Sequence, residues 1–107
     1  MFAQIQLTIG HNVAGVPTHE TFDVCHKVEQ ILGIEAYTAI PCYGMWRGEA
    51  EASTRIEIVT DPENARVIRD NVAFLAHSLD QEAIMCQFAG SVEFIDAETP
   101  AIVRIAA

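Results

Sequence analysis

A chain of 107 residues, half of them apolar, has room for one domain spanning residues 1–107 and one modest core. Fifteen acidic residues against six basic ones give a formal net charge of −9, which speaks against DNA or RNA binding, where a basic stripe must track the phosphates. No apolar run approaches the roughly 18 residues of a membrane helix. A field of this sign suits a cationic small molecule or a basic protein surface.

The first strand is expected at residues 2–10, where Ala3, Ile5, Leu7 and Ile9 alternate with Phe2, Gln4, Gln6 and Thr8. Gly10-His11-Asn12, with Gly15 and Pro17, reads as a loop. Thr18 is suited to cap a helix with Glu20 in its first turn; Phe22, Cys25, Val28 and Leu32 make its apolar stripe, and Gly33 ends it. Residues 34–46 read as extended, and Pro41 and Gly44 mark an edge or bulged strand. After a loop tip at Gly48, residues 51–60 form a strand with Ile56, Ile58 and Thr60 on one face and Arg55, Glu57 and Val59 on the other. Asp61-Pro62-Glu63 is a helix start, with a capping acid, proline at the first helical position and an acid in the first turn. Ile68, Val72, Leu75, Ala76 and Leu79 carry that helix to Asp80, and residues 82–88 are the next strand. Short strands at 91–96 and 101–105, parted by a turn at Thr99-Pro100, extend past this unit and are suited to cover a sheet edge or pair with another subunit.

Strand, helix, strand, strand, helix, strand is the split β-α-β plan. It predicts an α+β domain with one four-stranded antiparallel sheet, both helices on one face, and extra C-terminal strands. The opposite face, carrying Gln4, Gln6 and Thr8, can line a wet interface between subunits.

Residues 43–53, YGMWRGEAEAS, concentrate two aromatics, a cation, two carboxylates and a hydroxyl at a strand-loop-strand connection. Trp46, the one tryptophan, offers a flat surface for stacking or for facing a cation. Glu49 and Glu51 lie two apart, so an extended chain points both carboxylates to one face, where they can do acid/base work or hold positive charge. Trp46 packed on a core edge beside solvated acids is the plainer alternative. In Asp80-Gln81-Glu82, Gln81 can both donate to and accept from a polar ligand. Of the four histidines, His26 and His77 belong on helix surfaces, while His11 can reach a site at the end of the first strand. None has metal-ligand spacing. Cys25, Cys42 and Cys86 form no CxxC pair and no signal peptide precedes them, so they are expected as buried, reduced thiols.

The order of these motifs resembles the bacteriophage S-adenosylmethionine lyases, formerly called hydrolases, over roughly residues 2–88. The specific pieces are Tyr43-Gly44-Met45-Trp46-Arg47-Gly48-Glu49-Ala50 and Asp80-Gln81-Glu82-Ala83-Ile84. The same layout also resembles an uncharacterised bacterial family of PII-like domains. Both resemblances imply a ferredoxin-like, PII-like subunit, a homotrimer with sites between subunits. The lyase resemblance implies cytoplasmic S-adenosylmethionine cleavage, in the infected host if the chain is phage-encoded, with no cofactor and no metal. Methylthioadenosine would leave as homoserine lactone forms. It makes Glu51 the first choice for the essential acid, with Glu49 the competitor because Gly48 is an extra residue. Tyr43 and Trp46 would orient substrate, and Gln81 and His11 would bind it. A tail shorter than that of the phage enzymes, and a shorter segment between acid and strand, depart from the pattern. Two other functions stand beside this one. One is a non-catalytic PII-like trimer binding a nucleotide or small metabolite, such as a phage anti-defence sponge. The other is a protein-binding module using the acidic face.

Overall fold

The computed structural model describes residues 1–97; the strand expected at 101–105 and the turn at Thr99-Pro100 lie outside the described residues. In chain order the elements are β1 (Ala3–Gly10), β2 (Asn12–Val13), β3 (Val16–Pro17), α1 (Thr21–Leu32), β4 (Thr38–Trp46), β5 (Glu49–Thr60), α2 (Pro62–Asp70), α3 (Val72–Ser78), β6 (Ala83–Phe88) and β7 (Ser91–Asp96). One sheet runs β4-β5-β1-β6-β7, and β2 pairs with β3 alone. All four junctions in the main sheet are antiparallel. Strands β4, β5, β1 and β6 follow the ferredoxin-like order. The expected four-stranded sheet is thus five-stranded, because the 91–96 strand turns back and covers the edge that β6 would have exposed.

Alternation sets the register. Ile5 faces Ile58, Leu7 faces Ile56 and Cys86, and Ile84 faces Ile95. Directly opposed residues share a face, so these side chains form one apolar layer. Val24 and Val28 of α1, Ala65 and Ile68 of α2, and Val72, Leu75 and Ala76 of α3 complete the core against it. Burying a side chain of this size is worth about 1.5–3 kcal/mol, which fixes the register, since a one-residue slip would send the whole layer to solvent.

Three expectations need correction. Helix α1 starts behind Glu20 rather than Thr18: Glu20 and Asp23 close a reciprocal capping box. The buried stripe is then Val24 and Val28, with Ile31 and Leu32 at its margin, and Phe22 points out, 79% exposed. The long helix expected from 61 to 80 is two helices broken at Asn71, although its apolar positions are all buried. Of the cysteines, only Cys86 is buried. Cys25 sits at the core margin and Cys42 on edge strand β4, where each keeps partial exposure.

Candidate active site

Strand β5 is longer than its neighbour β1. Gly10, the last residue of β1, pairs with Ser53, so the β4–β5 hairpin from Gly44 to Glu51 overhangs the sheet. Arg47 and Gly48 turn it with φ of 51° and 82°, the two-residue geometry that matches strand twist. The overhang curls over the helix-free face toward the opposite edge. There the Trp46 ring lies 5.9 Å from Phe94 of β7, and Arg47 forms an ion pair with Glu82. Trp46 Nε1 also donates to Glu82 Oε2 at 3.4 Å.

Beneath this arch lies a cavity of about 880 Å³, within the range of small-molecule sites. Its floor is Thr8, Gly10, Ser53 and Met85; the β2–β3 hairpin and residues 80–83 close its sides. Four carboxylates line it, from Glu49, Glu51, Asp80 and Glu82, against the single guanidinium of Arg47. The arrangement attracts a cation and repels a phosphate chain.

Glu51 is the acid that the backbone holds. Its half-buried side chain accepts the Asn12 N–H at 2.8 Å. The same residue holds Gln81 through its carbonyl, as Gln81 Nε2 donates to Asn12 O at 2.9 Å and to Leu79 O at 3.4 Å. Two backbone acceptors fix the Gln81 amide, so the oxygen is the atom it can offer a ligand. Glu49 alternates with Glu51 on β5 and shares its face, but is exposed near the hairpin tip.

Glu49, Glu51, Trp46 and Gln81 therefore line one cavity, and two other expected residues do not. Tyr43 opposes Ala52, on the sheet face away from Glu51, and is 83% exposed. His11 lies behind the cavity wall, 7% exposed, with Nε2 2.7 Å from Thr54 Oγ1. Thr54 Oγ1 lies 3.0 Å from Thr21 Oγ1 in turn. Burial above all, and then His19, lowers the His11 pKa from its ordinary 6.5, while Glu51, Asp23 and Glu20 oppose the shift. Sequence reasoning missed Glu82 as the anchor of the arch, because its contact with Arg47 spans 35 residues. It missed Gly10 as well. Among the described residues, no cluster of His, Cys, Asp and Glu is placed to hold a metal ion, and no helix is long and apolar enough to cross a membrane.

No family model and no curated protein matches the chain. Two solved structures do. A phage SAM lyase in complex with S-methyl-5′-thioadenosine aligns with TM-score 0.72 at 21% identity, over 91% of each chain. A phage SAM lyase in the apo state aligns with TM-score 0.73 at 24% identity, over 91% of this chain and 90% of the other. The chain shares their fold.

Proposed function

We propose that the chain is an S-adenosylmethionine lyase. The observation that carries this reading is the Glu51 carboxylate, pinned by the Asn12 N–H inside an acid-lined cavity roofed by Trp46. The shared fold supports it, since one of the two similar structures holds S-methyl-5′-thioadenosine.

The reaction is an internal displacement. A carboxylate oxygen of the substrate attacks its own γ-carbon, the carbon–sulfur bond breaks, and the bonding pair leaves on sulfur as neutral methylthioadenosine. Homoserine lactone forms, still carrying its ammonium. The sulfonium loses its charge along the way and the ammonium does not. A carboxylate set against the sulfonium would therefore hold the ground state harder than the transition state, whereas one set against the ammonium serves both equally. Glu51 and the Gln81 oxygen suit the ammonium. Trp46, Phe94 and Met85 suit the sulfonium, where a weakly polar wall favours charge loss. Binding the chain bent, with carboxylate and γ-carbon in contact, supplies the rest.

The assembly is a homotrimer with its sites at the seams. Phe2, Val59, Val92 and Phe94 on the helix-free face, each more than half exposed, support a second chain covering it. Incubation with S-adenosylmethionine, followed by chromatography for methylthioadenosine and homoserine lactone, tests the reading. Binding without either product would make the chain a ligand-binding protein instead.

A further inference from the structure

We infer that Gly10 is a positioning residue for Glu51: its missing side chain is the space the carboxylate occupies. The inference rests on the lyase reading for its kinetic consequence, but not for its structural one.

Gly10 closes β1 in ordinary strand conformation, and its φ is not in the left-handed region. Glycine inside a strand is less favourable than alanine, and the backbone here does not ask for it. The neighbouring side chain does. A Cβ built on Gly10 would lie 2.6 Å from Glu51 Cδ and 2.7 Å from Oε1, and closer still to Oε2. The carboxylate lies over the Gly10 Cα and reaches the Asn12 N–H two residues on. The glycine directly opposite Glu51 on β4 is different. A Cβ on Gly44 meets only Ser53 Oγ, at 3.7 Å. Of the two glycines flanking Glu51, Gly10 alone is required by the carboxylate. A methyl group there pushes Glu51 off the Asn12 amide and into the cavity. Asn12, whose carbonyl also accepts from Gln81, then loses the carboxylate on its N–H.

The test compares Gly10→Ala, Gly44→Ala and Glu51→Asp, and the double variant Gly10→Ala with Glu51→Asp, by melting temperature, NMR and kinetics. In the parent chain the Asn12 amide is expected to respond to its Glu51 partner by slow hydrogen exchange, and Glu51→Ala removes that response. Gly10→Ala removes it too, while Gly44→Ala keeps it. Gly10→Ala lowers kcat/KM for S-adenosylmethionine by about 100-fold, the scale of a 1 Å misplacement, and leaves the melting temperature within a few degrees of the parent. Beside the shorter side chain of Glu51→Asp the same methyl group does much less, so the two effects are non-additive. An Asn12 response that survives Gly10→Ala overturns the inference, as do additive effects in the double variant. If the parent turns over no S-adenosylmethionine, the lyase reading fails and the NMR comparison still decides the role of Gly10. If Gly10→Ala does not fold, adding Glu51→Ala removes the obstacle and restores folding; a double variant that stays unfolded assigns the collision elsewhere.

Discussion

Glu51 and Glu49 share a strand face but differ in what holds them, and the difference predicts their weight. Glu51 is half-buried and fixed by a backbone amide, whereas Glu49 is exposed. A carboxylate hydrogen-bonded to a charged ligand group in a partly dry site contributes about 1.5–3 kcal/mol. An exposed one is screened and contributes about 0–1 kcal/mol. Glu51→Gln is therefore expected to lower kcat/KM by about 10- to 150-fold, chiefly through KM, and Glu49→Gln by about 5-fold at most. Steady-state kinetics with S-adenosylmethionine check both, and the reverse order would move the essential role to Glu49. His11 gives a second residue-scale prediction. Burial holds its pKa below 6.5, so the folded chain favours the neutral ring. Unfolded, the ring takes its proton near pH 6.5; folded, only at lower pH. The stability it contributes is full above the unfolded value and drains away as pH falls from there through the folded one. Relative to His11→Gln, which can keep a bond to Thr54, the parent should lose melting temperature between about pH 7.5 and about pH 5.5. A gap between the two that does not change with pH would remove His11 as its source.

The β4–β5 hairpin does the most to build the cavity, and its tip is held under tension. Arg47 adopts φ of 51° although it is not glycine, at a cost of about 1–2 kcal/mol. Its ion pair with Glu82 has both side chains more than half exposed, so it returns about 0–1 kcal/mol. An unfavourable conformation held by a weak contact makes sense where the contact closes a site. Arg47→Asn suits the left-handed turn and deletes the strap. Its melting temperature should equal or exceed that of the parent while KM for S-adenosylmethionine rises; a lower melting temperature with unchanged KM would make the strap structural. The hairpin was legible in sequence, because Pro41, Gly44 and Gly48 punctuate it and period-2 alternation puts Glu49 and Glu51 on one face. The break at Asn71 was not, since the apolar stripe from Ile68 to Leu79 runs straight through it. The β2–β3 hairpin has two residues per strand, too few for any period to show. The roles of Gly10 and Glu82 carry no local signal: one matters through the β1–β5 register, the other through a contact across the sheet.

At the scale of the molecule, the two sheet faces are unequal. One is sealed by α1, α2 and α3. The other carries Gln4, Gln6 and Gln87 among Phe2 (80% exposed), Val59 (63%), Val92 (56%) and Phe94 (60%). Register puts Val59 beside Gln4, Val92 beside Gln87 and Phe94 beside Met85, so apolar groups and glutamines are interleaved across this face. Among them Arg55 has a buried Nε that meets no acceptor among the described residues, an energetic debt that a neighbouring chain can settle. Tyr43 stands clear of its own cavity, on the far side of the overhanging hairpin, where another subunit can meet it. For the proposed homotrimer, light scattering is expected to return three chain masses. Val59→Lys places a charge on this face and should shift the mass toward one chain. On the proposed reading, in which a seam completes each cavity, activity should fall with the mass and recover as protein concentration rises. Tyr43→Ala should lower activity without changing the mass. A Val59→Lys chain that is monomeric and fully active at every dilution would put the whole site within one subunit, and the exposed apolar face would then need another partner.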